Sequence, residues 1–193
     1  MELPFKKEYN QLVTPFAEGK PRIVVSDEMI AKIRKLVEAI IERKRGEAHH
    51  RIDYNNEYKR FYTGLLGEAA LEQFLGIKII DWSVGDSSVF NEADLKNSGL
   101  DIGIKTVEAW KFPVIHKQVK RPELINVKLD DKTVVFFGYA SMSVLRNNQD
   151  DNFIISPLLR ARGTKTGFYG FSELVEITDF AHLKKVYIKP GQR

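Results

Sequence analysis

Apolar residues recur at helical spacing in two stretches of the chain. The first stripe consists of Ile30, Ile33, Val37, Ile40 and Ile41. Ser26 before it is a good N-cap and Gly46 after it a good C-terminal glycine, so the pattern predicts a helix between these two residues. The second stretch runs from about residue 55 to residue 75 and has the same periodicity. Two long helices are therefore expected in the first half of the chain.

Shorter runs rich in β-branched and aromatic residues predict strands. They lie at residues 77–82, 124–128 and 133–139, and a further edge strand is predicted at 184–189. Residues 112–116 are expected to form an extended apolar piece. The run at 133–139 is apolar throughout, as expected of a strand that is covered on both faces. This succession predicts an α/β protein with a central mixed β-sheet flanked by α-helices.

The overall composition is that of a globular protein. Of the 193 residues, 43% are hydrophobic and 29% are charged, which is an ordinary balance. This length predicts one domain spanning residues 1–193. Within it we expect an N-terminal arm and helix at 1–50, a core at 55–150, and a C-terminal loop with a helix or strand at 151–193.

Charge and residue content exclude several classes of protein. Lys and Arg number 30 against 26 Asp and Glu, and the net charge of +4 suits a polyanionic partner. There is no cysteine, so disulfides and thiolate metal sites are excluded. Neither a signal peptide nor a run of about 18 apolar residues is found, so we expect a soluble cytoplasmic protein with no membrane partner. The glycine-rich phosphate-binding patterns are also missing, and no nucleotide cofactor is expected.

Two glutamates interrupt the apolar stripe of the second helix. One seam of this helix carries Phe61, Leu65, Glu68, Glu72 and Leu75. Burying an ionised carboxylate is costly unless a cation, hydrogen bonds or water stabilise it. Glu68 lies beside Gly64 and Gly67, where another element can approach closely, and is therefore the stronger candidate for a functional acid. The alternative is a partly exposed stripe from which both glutamates reach solvent.

The stretch at residues 92–107 predicts a hairpin of two short strands joined by a Lys-Asn-Ser-Gly turn. Alternation along the second strand would place Asp101, Gly103 and Lys105 on one face. Asp94, on the first strand, would then lie near Asp101 and Lys105. The alternative is an ordinary hairpin with solvated charges.

The predicted elements come in a particular order: a helix with Glu68, a strand with Asp94, and a strand with Asp101 and Lys105. In this order and in these residues the chain resembles the PD-(D/E)xK nuclease superfamily. The resemblance covers roughly residues 55–150, and it rests on Gly67-Glu68, Ala93-Asp94 and the segment at 99–106. It implies a restriction-endonuclease-like core, a mixed sheet flanked by helices.

Carried over residue by residue, the resemblance implies that Asp94 is the metal-binding aspartate of the motif. Lys105 matches the motif lysine, and Glu68 matches the helix glutamate of many members. The expected catalytic set is Glu68, Asp94, Asp101 and Lys105, and the three acids are expected to hold Mg²⁺, with Mn²⁺ as a possible substitute.

The chain departs from the family pattern at two positions. Ala93 stands where the family has proline, and Gly103 stands where it has the second acid, two residues before the lysine. Asp101 lies two residues further back on the same expected strand face and is predicted to supply the missing carboxylate. The other possibility is a site that binds DNA without cleaving it.

The resemblance implies a Mg²⁺-dependent endonuclease that hydrolyses double-stranded DNA, of restriction, phage or repair type, and we expect it to act as a homodimer. Basic residues near an aromatic, namely Arg160, Arg162, Lys165 and Tyr169, are predicted to bind nucleic acid. Two other functions stay open. One is a catalytically inactive nuclease-fold DNA-binding protein, and the other is a protein-interaction factor whose acidic helix and basic loops contact partner proteins.

Overall fold

The structure is a computed structural model that describes residues 5–44, 54–83 and 93–187. The helices of this part of the chain are α1 (Lys6–Leu12), α2 (Asp27–Lys44), α3 (Tyr54–Leu75), α4 (Met142–Asn147), α5 (Pro157–Ala161) and α6 (Phe180–Val186). The strands are β1 (Arg22–Val24), β2 (Gly103–Glu108), β3 (Val114–His116), β4 (Glu123–Lys128), β5 (Thr133–Ala140), β6 (Gln149–Asp150) and β7 (Lys165–Phe168).

Four strands form a mixed sheet in the order β1-β5-β4-β2. Strand β5 is antiparallel to both β1 and β4, whereas β4 and β2 are parallel. The register of the parallel pair sets Gly103 opposite Glu123 and Lys105 opposite Ile125. Three further strands form an antiparallel sheet in the order β3-β7-β6. The predicted class, a mixed β-sheet flanked by α-helices, is confirmed.

Alternate residues of the central strands face two hydrophobic cores, one on each side of the mixed sheet. On one side, Leu124, Val134 and Phe136 pack with residues of α2 and α3. On the other side, Ile125 and Val135 pack with residues of α1, α4, β3 and β7. The strands β4 and β5 are therefore covered on both faces, which explains their nearly continuous apolar sequences.

Helix α3 packs against β2 with very little space between them. A Cβ atom on Gly67 would lie 1.7 Å from Thr106 Oγ1, whereas a Cβ atom on Gly64 would meet nothing within 4 Å. The close approach expected beside Glu68 is thus confirmed at Gly67 and not at Gly64. This contact brings the middle of α3, and Glu68 with it, next to the edge of the sheet.

The two predicted helices are confirmed as α2 and α3, and the strands predicted at 124–128 and 133–139 are confirmed as β4 and β5. The hairpin is wrong in its first half. Lys96–Ser98 is a 3₁₀ helix and β2 begins only at Gly103. The N–H of Leu95 donates to the carbonyl of Ile102, and the N–H of Leu100 donates to that of Leu95. Because the loop bonds within itself, it forms no second strand; residue 92 lies outside the described residues.

Two other predicted strands are also wrong. At residues 77–82 the chain forms no strand, because the Glu72 carboxylate accepts the N–H groups of Ile79 and Ile80 that a sheet partner would otherwise bind. Near the C-terminus, the chain continues as α6 through Val186, and the Asp179 side chain caps this helix by accepting from the N–H of His182. Residues 188–189 of that predicted strand lie outside the described residues.

None of the helices within residues 5–44, 54–83 and 93–187 combines the length and apolar character that crossing a bilayer requires.

Candidate active site

A cavity of about 180 Å³ opens at the end of the mixed sheet where β2 and β4 begin. Charged and imidazole side chains dominate its lining, which includes Asp94, Lys105, His116, Lys120, Arg121 and Glu123. Two carboxylates and several basic groups therefore share one small space. This mixture is typical of sites that bind a phosphate and a metal ion together.

The first residues of the two parallel strands determine how one carboxylate enters this cavity. Gly103 lies opposite Glu123, and a Cβ atom on Gly103 would lie 2.1 Å from Glu123 Oε2. The Glu123 carboxylate thus occupies the space that a side chain at position 103 would fill. The carboxylate beside position 103 therefore comes from β4 and not from β2.

The Glu123 carboxylate is poorly compensated. Its side chain is 12% exposed, and its Oε1 lies 3.8 Å from Lys105 Nζ. Its Oε2 atom is buried and has no hydrogen-bond partner within the described residues. Burial raises the pKa of Glu123 to about 7. The charge of Lys105 opposes this shift, and the charge of Asp94 adds to it. A buried carboxylate oxygen without a partner is well suited to a bound cation.

Asp94 is held at the edge of the sheet by a backbone hydrogen bond. Its Oδ2 accepts from the N–H of Ile104, the second residue of β2. Burial raises the pKa of Asp94, although this hydrogen bond and the charges of Lys105 and Arg121 act in the opposite direction. Asp94 therefore lies next to Lys105, as the sequence predicts, but a loop presents it instead of a strand.

Glu68 belongs to the same electrostatic group but lies outside the cavity lining. Desolvation of its carboxyl group raises the pKa of Glu68 to about 8; the charges of Asp94 and Glu72 add to the shift, and Lys105 reduces it. Three carboxylates with raised pKa values thus interact with one lysine. The sequence prediction that Glu68, Asp94 and Lys105 form one group agrees with this arrangement.

Asp101 lies outside the cavity lining, although its carboxylate faces Arg121, which belongs to that lining. Its side chain is 50% exposed, and its Oδ1 lies 3.5 Å from the Nε of Arg121. Its backbone N–H donates to the hydroxyl oxygen of Tyr187. The predicted alternation failed here because residues 100–102 precede β2 and do not continue the strand. Glu123, and not Asp101, lines the cavity beside Lys105.

The second glutamate of the helix seam has a structural role. Glu72 Oε1 accepts hydrogen bonds from the N–H groups of Ile79 at 2.6 Å and Ile80 at 2.9 Å. These bonds fix the chain where it leaves α3. They also explain how a charged residue fits a largely apolar stripe.

The four residues predicted to bind nucleic acid have different surroundings. Lys165 Nζ lies 2.5 Å from Nε2 of His116, a residue of the cavity lining. The Arg160 guanidinium donates to the carbonyl of Ile154 at 2.6 Å, and the Tyr169 ring packs 5.7 Å from the Phe153 ring. Arg162 is exposed on the surface. Of these four, Lys165 is the residue in contact with the cavity lining.

Within the part of the chain that the structure describes, no group of three or more histidine, aspartate or glutamate side chains is arranged to hold a metal ion. Mg²⁺ keeps several waters and binds proteins through one or two carboxylates. Asp94 and Glu123, with the unpartnered Oε2 of the latter, fit an ion of this kind. Glu68 lies outside the cavity lining and, with a pKa of about 8, is mostly protonated at neutral pH.

Glu123 is the residue that sequence reasoning missed. Its signal was indirect, because Gly103 interrupts an otherwise well-formed strand and a glycine there indicates the close approach of another group. Pro122-Glu123 then opens the apolar strand β4. The parallel pairing of β2 with β4 connects the two positions, and no local pattern encodes that pairing.

Comparison of the chain with protein-family models, with curated proteins and with solved structures found no match in any of the three.

Proposed function

We propose that the protein is a metal-dependent nuclease that hydrolyses phosphodiester bonds of double-stranded DNA, with Mg²⁺ as its cofactor and Mn²⁺ as a substitute. One observation carries the proposal. The Glu123 carboxylate fills the space beside Gly103 and lines one cavity with Asp94 and Lys105. These are the residue types of the PD-(D/E)xK motif, with the second acid supplied by the neighbouring strand.

Each residue has a distinct role in this proposal. Asp94 and Glu123 would hold the metal ion, and Glu68, which is mostly protonated at neutral pH because its pKa is about 8, would ionise and add negative charge once the ion is bound. When bound, the ion neutralises charge at the scissile phosphate and lowers the pKa of a coordinated water. Lys105, whose side chain is 34% exposed, orients the attacking water or stabilises the negative charge that develops on the phosphate.

The surroundings of the cavity support a polyanionic substrate. His116, Lys120 and Arg121 share its lining with the acids, and the chain carries a net charge of +4. A phosphate backbone is attracted to such a surface, and its counterions are released on binding. Cleavage of both strands would be achieved most simply by a two-fold dimer with one cavity on each strand. Sedimentation with and without DNA tests that arrangement.

The proposal is tested by comparing carboxylate variants in a Mg²⁺-dependent cleavage assay on plasmid and linear duplex DNA. Asp94→Asn, Glu123→Gln and Lys105→Met are each expected to lower the cleavage rate by about 100-fold or more, as loss of a charge-stabilising group does. Asp101→Asn is the matched control, and it is expected to cleave within about threefold of the parent rate because its carboxylate lies outside the cavity. Parent-level cleavage by Glu123→Gln would contradict the proposal.

A second candidate function is DNA binding without cleavage. The observation in its favour is that no three-ligand group is found in the described residues. Calorimetric titration separates the two functions. The nuclease is expected to bind Mg²⁺ or Mn²⁺ with a measurable heat that Glu123→Gln removes, whereas a binding protein without catalysis is expected to give no heat with either ion.

A further inference from the structure

The side chain of His116 lies among several positive charges. Burial lowers the pKa of His116, and the charges of Lys165, Lys105, Lys120 and Arg121 lower it further. Four of the five residues line the cavity described above, and Lys165 is within hydrogen-bonding distance of His116. Positive charge is therefore concentrated on one part of the cavity wall.

The fold holds two of these groups together. Strands β3 and β7 pair so that His116 is opposite Lys165, and Lys165 Nζ lies 2.5 Å from His116 Nε2. Burial and the charge of Lys105 lower the pKa of Lys165 to about 8, and Glu123 opposes this shift. The Glu123 carboxylate also faces Lys105, so it compensates two lysines at once. With its pKa lowered, His116 is neutral at pH 7, so the pair offers one ammonium and one imidazole to an anion that enters the cavity.

The neighbouring lysine shows the opposite arrangement. Lys117 follows His116 directly, yet its Nζ lies 2.5 Å from the Oδ2 of Asp151. Its charge is thus balanced within the protein. The contrast separates an ordinary surface ion pair from Lys165, whose Nζ lies beside an imidazole nitrogen instead of a carboxylate.

We propose that His116 and Lys165, with Lys120 beside them, form a phosphate-binding subsite, which holds a phosphate of the nucleic-acid strand other than the one being hydrolysed. The inference rests on the proposed nucleic-acid substrate, and it adds a second anchoring point to the same cavity. The Lys165 ammonium donates to a phosphate oxygen, and the imidazole donates to another from its ring N–H. Holding a second phosphate would fix the position of the first relative to Asp94, Lys105 and Glu123.

The ligand has one chemistry and two possible sources. The subsite could receive an internal phosphodiester of the backbone or a terminal 5′-phosphate. Two fluorescent duplexes of the same sequence, one with 5′-hydroxyl and one with 5′-phosphate ends, distinguish the sources. A loss of affinity that is equal for both duplexes identifies an internal phosphate, whereas a loss confined to the phosphorylated duplex identifies the terminal group.

The test measures DNA affinity by fluorescence anisotropy in EDTA, over a range of salt concentrations. Lys165→Met is expected to weaken binding and to lower the slope of log K against log salt by about 0.9, because one phosphate is no longer neutralised. His116→Gln, which removes a hydrogen-bond donor but no charge at neutral pH, is expected to weaken binding with the slope unchanged. Lys165→Arg is expected to retain most of the affinity, which shows that the effect follows the charge. Lys117→Met is the matched control and is expected to bind within about twofold of the parent, because an exposed ion pair contributes little.

Omitting the metal keeps this inference separate from the proposed cleavage. If Lys165→Met and His116→Gln bind DNA with the affinity and slope of the parent, the subsite is overturned, whether or not the parent cleaves. If both variants show the expected weakening and the parent cleaves no DNA with any metal, the subsite stands and the nuclease proposal falls. A parent protein that does not bind DNA overturns both.

Discussion

Gly103 and Glu123 lie opposite each other at the start of two parallel strands, so close that a Cβ atom on Gly103 would lie 2.1 Å from Glu123 Oε2. One position lacks a side chain, and the other delivers a carboxylate into the space left by it. The two residues therefore constrain each other, and neither can be changed without regard to its partner.

This relationship predicts the behaviour of an acid introduced at position 103. Gly103→Asp alone is expected to lower the free energy of unfolding by about 1–3 kcal/mol, because two carboxylates would compete for one space. Adding Glu123→Ala is expected to restore most of the lost stability and a measurable part of the Mg²⁺-dependent cleavage. Urea denaturation and plasmid cleavage measure the two effects. A double variant no more stable than Gly103→Asp would show that the two side chains do not share the space.

The two glutamates of α3 are predicted to have opposite roles. Glu72→Ala removes the acceptor of two backbone N–H groups and is expected to cost about 1–3 kcal/mol of stability with little effect on cleavage. Glu68→Gln replaces a desolvated carboxyl group whose pKa is about 8, so it is expected to keep stability at neutral pH and raise it above pH 8, while lowering cleavage because the variant cannot ionise beside a metal ion. The variants control for each other because they lie one turn apart on one helix. If one of the two variants lost both more stability and more cleavage than the other, this division of roles would be contradicted.

The glycines of α3 offer a test of the packing that positions Glu68. Gly67→Ala is expected to destabilise the protein by about 1–3 kcal/mol, since the new methyl group would overlap Thr106. Gly64→Ala is expected to stabilise it by about 0.4–1 kcal/mol, because that position is open and alanine favours a helix. Urea unfolding midpoints measure both changes. Equal effects of the two substitutions would argue against close packing of α3 on β2.

The raised pKa values predict how stability depends on pH. Glu68 titrates with a pKa of about 8 and Glu123 with a pKa of about 7 in the folded protein, against an ordinary value of 4.5 for each. The folded state therefore binds more protons than the unfolded state between these limits, and stability falls as pH rises. Without metal, the decrease from pH 5 to pH 8.5 is expected to be on the order of a few kcal/mol.

The variants Glu68→Gln and Glu123→Gln supply the control for this effect. Each is expected to flatten the dependence of the unfolding free energy on pH, and the double variant is expected to flatten it further. Mg²⁺ is expected to act in the same direction on the parent, because a bound cation stabilises the ionised carboxylates. Denaturant titrations at several pH values, in EDTA and in Mg²⁺, measure these slopes. If the unfolding free energy of the parent and of the double variant had the same dependence on pH, the assignment of the effect to Glu68 and Glu123 would be contradicted.

Patterns along the sequence predicted the elements that local residues determine. The stripe of α2 and the apolar runs of β4 and β5 have periodicities that few other structures satisfy. The failures lie where side chains satisfy the backbone in place of a sheet. Glu72 binds the N–H groups after α3, and the loop around Leu95 bonds to itself. Such bonds depend on single polar side chains and tight turns, so they cannot be predicted from hydrophobic periodicity.

The candidate site was predictable only as far as its residues lie close in sequence. Asp94 and Lys105 are joined by a short loop, and their proximity follows from the chain itself. Glu123 reaches the cavity through the pairing of β2 with β4, across a connection that includes a strand of the other sheet. Long-range pairing of this kind is decided by tertiary packing. The sequence pattern therefore points to Asp101, an acid nearby in sequence, in place of Glu123.

The parallel register of β2 and β4 has a consequence for how an active molecule arises. A slip of one residue along β4 would turn Glu123 to the opposite face of the sheet and direct Leu124 toward Gly103. Misaligned molecules would then lack both the acid and the cavity, even with their secondary structure intact. Under the proposed function, nuclease activity would thus require correct strand alignment, and an incorrectly aligned chain would not cleave nucleic acid.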